Sequence, residues 1–193
     1  CLVPVANSWL LGIRIDLKAL NKLQPEMLKR KAELAAAAGV DESVLSSPKQ
    51  LAILLFDTWG LPVHSRTPKG APQCSRGALK WVQYKALNNG LTDIAERLGC
   101  ILEAKTITTL LSKYVKTTYE ALEHTGDGYI YGAPRIFGTY TGRFTYSNST
   151  SSYDAVEDSR ARWKTGIALH QIPRNAKEIR SILLPPEGLM IYE

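Results

Sequence analysis

Two glycines and an arginine near residue 140 form the best candidate for contact with a ligand. Gly138 and Gly142 allow the backbone to come close to a bound molecule, and Arg143 follows among several hydroxyl side chains. The planar guanidinium group of arginine can bridge two acceptors, on phosphate or on base edges in the minor groove. A hairpin turn with a solvated arginine gives the same pattern, so the segment alone leaves both interpretations open.

A second candidate is the polar face of a long predicted helix. Apolar residues recur at helical spacing between Ile101 and Leu122. The opposite face carries hydroxyl and lysine side chains, namely Thr109, Ser112, Lys113, Lys116 and Thr117. These groups donate readily to phosphate oxygens. A solvated helix face has the same composition, so the pattern is compatible with both interpretations.

Charge and cysteine content narrow the class of protein. The net charge is +6 and the pI is about 9.2, which favours a polyanionic partner without proving one. The 3 cysteines show no close pairing, and the 3 histidines lack metal-ligand spacing, so neither a disulfide framework nor a zinc site is predicted. Asp154, Glu157 and Asp158 are interpreted as a solvated acidic patch.

The sequence predicts no association with a membrane. No run of about 18 apolar residues is present, and the N-terminal residues lack the layout of a signal peptide. We therefore expect a cytoplasmic protein. A chain that starts at Cys1 and stops within an apparent strand at Leu189–Tyr192 also indicates a piece of a longer protein.

The first two thirds of the chain are predicted to be helical. Asp16 should cap one or two helices that end at Gly39, with a bend or a division at Pro25. Ser47-Pro-Lys-Gln50 is a capping box that opens a helix ending at Gly60. An exposed loop from 61 to 74 should separate it from further helices, which are predicted over 78–87, 92–98 and 101–122.

Strand-forming residues dominate after Gly126-Asp-Gly128. Short antiparallel strands are predicted over 129–131 and 136–141, an irregular polar insertion over 145–166, and a buried strand at 189–192. Helices followed by antiparallel strands predict the α+β class.

Four short motifs follow one another along the second half of the chain. They are Thr141-Gly-Arg143, Leu169-His-Gln-Ile-Pro173, Ile179-Arg180, and Glu187-Gly188 before Leu189–Tyr192. Their order resembles that in family A DNA polymerases, which are similar to DNA polymerase I. Upstream, the segments 11–16, 47–61, 67–70 and 116–119 also resemble that family. The resemblance covers nearly all of residues 8–193.

The resemblance implies a domain layout and a set of DNA-binding residues. Residues 1–10 would be a linker, 11–125 a helical thumb, and 126–193 the start of the palm, which stops before the first catalytic aspartate. The implied DNA contacts are Lys116 and Thr117 on backbone phosphates, Thr141, Gly142 and Arg143 at the minor groove near the primer 3′ end, Gln171 on the template-primer, and Arg180 behind the nascent base pair.

The implied activity belongs to a longer enzyme that adds deoxynucleotides to a primer 3′ end with Mg²⁺. Its partners would be primer-template DNA and deoxynucleoside triphosphates, whereas a processivity factor stays undefined. This chain carries no catalytic residue and no metal ligand of that family, so we expect it to bind DNA without extending it. The long 145–166 segment and His170-Gln171, where the family usually has Gln-Asn, indicate a bacteriophage branch.

Two other interpretations stay open at this point. A non-catalytic DNA-binding or replication accessory protein could use the same scaffold without an active site. An α+β domain that binds a protein partner would also account for the composition. The salt dependence of DNA binding separates the last alternative from the other two.

Overall fold

The structure, a computed structural model, describes residues 11–135, 140–141, 145–147, 149–151, 162–164 and 166–185. The fold divides into two compact units. The helical unit is the continuous segment Glu26–Thr109. The sheet unit contains the described residues up to Pro25 and those from Leu110 onwards.

The chain enters through a short strand and a long helix. Strand β1 is Ile13–Ile15 and helix α1 is Leu17–Ala38. The Asp16 carboxylate accepts a hydrogen bond from the Ala19 amide at 3.0 Å, which confirms the predicted cap. The predicted division at Pro25 is wrong, because α1 continues through it. Leu20, Leu23 and Met27 are buried on both sides of the proline, and their packing holds the helix together.

The rest of the helical unit consists of four helices. Helix α2 is Glu42–Ser46, and α3 is Pro48–Ala52, which continues as a π-helical turn over Ile53–Thr58. Helix α4 is Arg76–Asn88 and α5 is Thr92–Leu110. The Ser47 hydroxyl accepts a hydrogen bond from the Gln50 amide at 3.4 Å, so the predicted N-cap of α3 is confirmed.

The predicted separation of two helices near residue 99 is wrong. Helix α5 runs without a break past Gly99, because Leu98 and Ile101 on either side are fully buried in one core. That core is formed mainly by aliphatic side chains, including Leu45, Leu51, Leu55, Leu79, Val82, Leu98 and Ile101.

In the sheet unit, the long helix predicted from its apolar stripe is present. After α5 the chain forms a π-helical turn, Leu111–Val115, and then helix α6, Lys116–Thr125. Ile107, Tyr114 and Val115 from the predicted apolar face are buried. Helix α6 ends at Gly126, whose φ of +71° is a left-handed conformation that glycine adopts without strain.

A three-stranded antiparallel sheet lies in the same unit. Its strands are β1, β2 (Tyr129–Ile130) and β7 (Leu183–Leu184), in the order β2-β1-β7. Ile13 pairs with Ile130, and Ile15 pairs with Leu183. Helix α7, Lys177–Arg180, precedes β7. Helices followed by a small antiparallel sheet confirm the α+β class.

Two further strand pairs fall in and beside the region predicted as an irregular insertion. Strand β3 (Ala133–Arg135) pairs with β4 (Thr145–Ser147), and β5 (Ser149–Ser151) pairs with β6 (Arg162–Lys164). The prediction of irregular structure is therefore wrong for Thr145–Ser147, Ser149–Ser151 and Arg162–Lys164, because backbone pairing between strands provides order that composition does not reveal. The strand predicted at 189–192 lies outside the described residues.

Two glycines make room for Tyr131, which follows β2. A Cβ atom on Gly12 would lie 2.7 Å from the Tyr131 ring, and one on Gly166 would lie 2.6 Å from the Tyr131 carbonyl oxygen. Both distances are shorter than contacts that a side chain can make. Glycine at these two positions therefore lets three chain segments meet at Tyr131.

Candidate nucleic-acid interface

A hydrogen bond between distant segments positions one of the predicted DNA-binding residues. The Tyr114 hydroxyl donates to the Gln171 carbonyl oxygen at 2.5 Å. Gln171 ends a 3₁₀ turn, Leu169–Gln171, and its side chain is exposed. Burial of the Tyr114 phenol raises its pKa, so this donor keeps its proton across the physiological range. The bond holds the backbone of Gln171 beside Tyr114, which lies two residues before the start of α6.

Lys116 and Thr117 begin α6 but have different surroundings. The Lys116 side chain is 74% exposed, and its ammonium group lies 3.8 Å from the Glu120 carboxylate. Thr117 is 5% exposed, and its hydroxyl donates to the Ser112 carbonyl oxygen at 3.3 Å. The Lys116 ammonium group is therefore the member of this pair that a phosphate in solvent can reach.

The remaining predicted contacts are only partly described. Thr141 is exposed, whereas Arg180 is half-buried on α7. The Asp16 amide donates to the Ile182 carbonyl oxygen at 2.8 Å. Ile182 lies two residues after α7, so this bond joins the segment that follows α7 to the end of β1. Gly142 and Arg143 lie outside the described residues. Contact of these residues with DNA stays a prediction.

The turn before β2 is held by the Asp127 carboxylate, which accepts more than one hydrogen bond. Asp127 accepts hydrogen bonds from the Tyr131 hydroxyl at 2.6 Å and from the Tyr129 amide at 2.8 Å. Burial opposes ionisation of Asp127, but the bonds from Tyr131, Tyr129 and Thr125 outweigh it and lower the Asp127 pKa. The same bond to Asp127 raises the pKa of Tyr131 to about 12. The pair thus holds the turn that leads from α6 into the sheet.

The helical unit carries a set of exposed cations, part of which falls in the segment predicted as an exposed loop from 61 to 74. Residues 58–92 contain no Asp or Glu, and we call this segment the basic stretch. It contains five exposed cationic residues, Arg66, Lys69, Arg76, Lys80 and Lys85. The signal was available in the sequence, because a count of acidic residues by segment would have found it. Such a surface attracts polyanions.

The loop that opens the basic stretch has a defined conformation. Gln73 donates its amide to the Ser65 carbonyl oxygen at 2.9 Å, and Thr67 donates to that of Ala71 at 2.7 Å. These two bonds make a tight hairpin with Lys69 near its tip. The Arg66 guanidinium group donates to the Gly70 carbonyl oxygen at 2.9 Å, which keeps it beside the tip.

A half-buried lysine fastens the end of this hairpin to α5. Lys105 donates to the Cys74 carbonyl oxygen at 3.1 Å. Burial lowers the Lys105 pKa, and burial raises the pKa of the Cys74 thiol although the nearby ammonium group opposes that shift. The bond therefore anchors the end of the hairpin to α5.

The part of the chain that the structure describes has neither a cluster of metal-binding side chains nor a helix that could span a membrane. Within it, no three His, Cys, Asp or Glu side chains are grouped so that they could hold a metal ion. Its helices include none with the length and apolarity needed to cross a membrane.

Comparison with known proteins identifies the family. The model for DNA polymerase family A matches residues 16–191, nearly the whole chain. The chain therefore belongs to DNA polymerase family A.

A solved structure shows the same fold. It is the polymerase domain of Pol1 from M. smegmatis in complex with DNA primer-template and dNTP, with 24% sequence identity and a TM-score of 0.66. The match covers 93% of this chain but 28% of the M. smegmatis chain. The chain thus corresponds to less than a third of that protein.

Proposed function

We propose that this chain is the duplex-binding part of a template-directed DNA polymerase. The complete protein would add deoxynucleotides to a primer 3′ end during DNA replication. Membership of family A supports the activity, and the M. smegmatis relative was solved with primer-template and dNTP. The observation that carries the duplex-binding role is the basic stretch, with five exposed cations and no acidic residue.

In this proposal the two units have different tasks. Arg66 and Lys69 of the hairpin contact backbone phosphates, which fixes the duplex without reading its sequence. Lys116, Thr141, Gly142, Arg143, Gln171 and Arg180 of the sheet unit contact the primer-template near the primer 3′ end. We assign 11–125 to a thumb and 126–193 to the start of a palm, in a polymerase of the bacteriophage branch.

The proposed cofactor of the complete protein is Mg²⁺. The described residues do not form a site for it, so its ligands would be carboxylates elsewhere in the protein. We accordingly expect this chain alone to bind primer-template and to be inactive in primer extension.

Binding of a labelled primer-template to the 193-residue chain tests the proposal. We expect tighter binding to a duplex with a recessed 3′ end than to a blunt duplex, and a steep loss of affinity with added salt. Arg143→Ala should weaken the binding of the recessed duplex by about tenfold, since an arginine that bridges two acceptors contributes about 1–3 kcal/mol.

The matched control is Arg160→Ala, in the cationic segment 160–164. Equal losses for the two variants would indicate nonspecific electrostatics. No preference for a recessed end, together with no primer extension by the complete protein with Mg²⁺, would favour the accessory-protein alternative. No detectable binding at low salt would overturn the nucleic-acid function.

A further inference from the structure

The outward face of α4 carries large apolar side chains where a solvent-facing helix normally has polar ones. Tyr84 is 61% exposed, Leu87 is 52% exposed, and Leu91, just beyond the helix, is 43% exposed. Within the helix, Tyr84 and Leu87 are three residues apart and lie along one line, away from the buried Leu79 and Val82. Isolated exposed apolar residues are common, but two on one face with a third just beyond the end of the helix indicate an interaction site.

Two cations extend the same line towards the start of the helix. Arg76 and Lys80 precede Tyr84 at steps of four residues, and both are exposed. We call Arg76, Lys80, Tyr84, Leu87 and Leu91 the α4 stripe. From Arg76 to Leu87 it is about 17 Å long at the rise of an α-helix. Its first part is cationic and its second part is apolar.

The apolar end of the stripe is held in place by the backbone. Gly90 has a φ of +75°, and its amide donates to the Leu87 carbonyl oxygen at 3.1 Å. The Leu91 amide donates to the Ala86 carbonyl oxygen at 2.9 Å. These two bonds form a Schellman motif, which fixes Leu91 beside the last turn of α4. A partner would meet a preformed surface, so little ordering would oppose binding.

The distribution of charge along the stripe determines which kind of partner fits and which part of that partner lies at each end of the stripe. The basic stretch places no carboxylate along the stripe from residue 76 to residue 91, whereas Asp93 follows directly in the first turn of α5. A partner carboxylate is therefore attracted towards Arg76 and Lys80 and repelled from the Leu91 end. Apolar side chains of the partner fit at Leu87 and Leu91, where duplex DNA presents only its anionic backbone.

We propose that the α4 stripe docks a protein segment in which acidic residues lie next to large apolar residues. Its carboxylates lie against Arg76 and Lys80, and its apolar side chains pack on Tyr84, Leu87 and Leu91. This docking uses Arg76 and Lys80, whereas the proposed phosphate contacts of the basic stretch are Arg66 and Lys69. It recruits a protein partner to the helical unit through a short segment of that partner.

A synthetic peptide tests the docking on the 193-residue chain. The probe is a fluorescein-labelled peptide with a run of aspartates followed by Leu-Phe-Leu, and the readout is fluorescence anisotropy. We expect saturable binding, and a loss of about tenfold or more in affinity for Leu87→Ser and for Tyr84→Ser. Both variants should bind primer-template as the unchanged chain does, since neither residue is part of the proposed DNA contact.

The matched control is Leu28→Ser, which removes a side chain of 46% exposure from α1. It should leave peptide binding unchanged, and circular dichroism checks that all three variants are folded. A second peptide with serines in place of Leu-Phe-Leu should bind more weakly than the first.

Three results would overturn the docking proposal. One is the absence of detectable binding at peptide concentrations up to about 1 mM, since a specific recognition site binds its ligand more tightly than that. Another is equal binding of the two peptides, or no effect of Leu87→Ser, since the cations alone would then attract any polyanion. The third is an equal loss of primer-template binding in Leu87→Ser, which would place this face in the DNA site instead.

Discussion

At the scale of single residues, two neighbouring threonines in α6 differ in the hydrogen bonding of their hydroxyl groups, and a measurement of stability can detect the difference. Both are buried, but the Thr117 hydroxyl donates to the Ser112 carbonyl oxygen. The Thr118 hydroxyl has no hydrogen-bond partner in the part of the chain that the structure describes. A buried hydroxyl without a partner costs free energy, because it loses water and gains nothing.

Thr118→Val should therefore raise the free energy of unfolding by about 1 kcal/mol. Valine has nearly the same shape and a similar helix propensity, so the substitution removes the hydroxyl and little else. Thr117→Val is the matched control and should lower stability or leave it unchanged. Urea unfolding followed by circular dichroism measures both. A Thr118→Val protein less stable than the Thr117→Val protein would contradict the assignment.

Tyr131 and Asp127 make a second prediction at this scale. The hydrogen bond to Asp127 raises the Tyr131 pKa to about 12, above its unfolded value near 10. Its contribution to stability is therefore complete below about pH 10 and is lost as the pH rises through about 12. For Asp127, whose pKa is lowered, the contribution is present above its unfolded pKa and is lost as the pH falls through the lower folded value.

Tyr131→Phe should remove a tyrosine titration step at about pH 12, which is followed by near-ultraviolet absorbance. It should also reduce the loss of stability at strongly alkaline pH. Tyr84→Phe is the control, since Tyr84 is 61% exposed on α4 and is not part of the Asp127 pair, so its loss should leave the step at about pH 12 in place. An unchanged alkaline step in Tyr131→Phe would show that Asp127 does not hold this phenol.

At the scale of elements, the hairpin that opens the basic stretch is the proposed phosphate contact. Arg66→Gln together with Lys69→Gln should weaken primer-template binding and reduce the slope of log K against log salt by about 2, about one for each lost phosphate contact. The measurement is a titration of labelled duplex at several salt concentrations.

The control pair for the hairpin is Lys29→Gln together with Arg30→Gln on α1. It changes the net charge by the same amount, but Lys29 lies 3.9 Å from Glu33, and Arg30 pairs with Glu103. For this double variant we expect little change in the slope of log K against log salt for primer-template binding. Equal changes in the two double variants would mean that net charge alone governs binding.

Local signals in the sequence predicted several elements correctly. Asp16 and Ser47 were recognised as caps because a side-chain oxygen and the free amides that it satisfies lie within three residues. The buried face of the helix through Tyr114 was predicted from its spacing. The sequence left open whether Pro25 bends or divides the first helix, and α1 continues through it because packing on the core overrides the local preference of proline.

Contacts between distant segments could not be predicted in the same way. The bond from Tyr114 to Gln171 joins positions 57 residues apart, so no local pattern reveals it. It nevertheless decides how a predicted site residue is held. The family resemblance supplied the identity of Gln171, whereas its anchor at Tyr114 comes from tertiary structure.

At the scale of the whole molecule, net charge understates how charge is arranged. The chain carries +6 in total, while the basic stretch alone contains five exposed cations and no acidic residue. The remaining charges of the helical unit include pairs such as Lys31 and Glu42, which lie 2.9 Å apart. A surface of one sign confined to one segment directs a polyanion to it more effectively than the same charge spread evenly.

The division into two units has a consequence for how the protein is made. The helical unit is one continuous segment, Glu26–Thr109, so its core can form as soon as that segment has left the ribosome. Strand β1 must wait much longer, since Arg14 pairs with Leu184 near the other end of the chain. Strand β1 thus gains this neighbour only after the helical unit is complete.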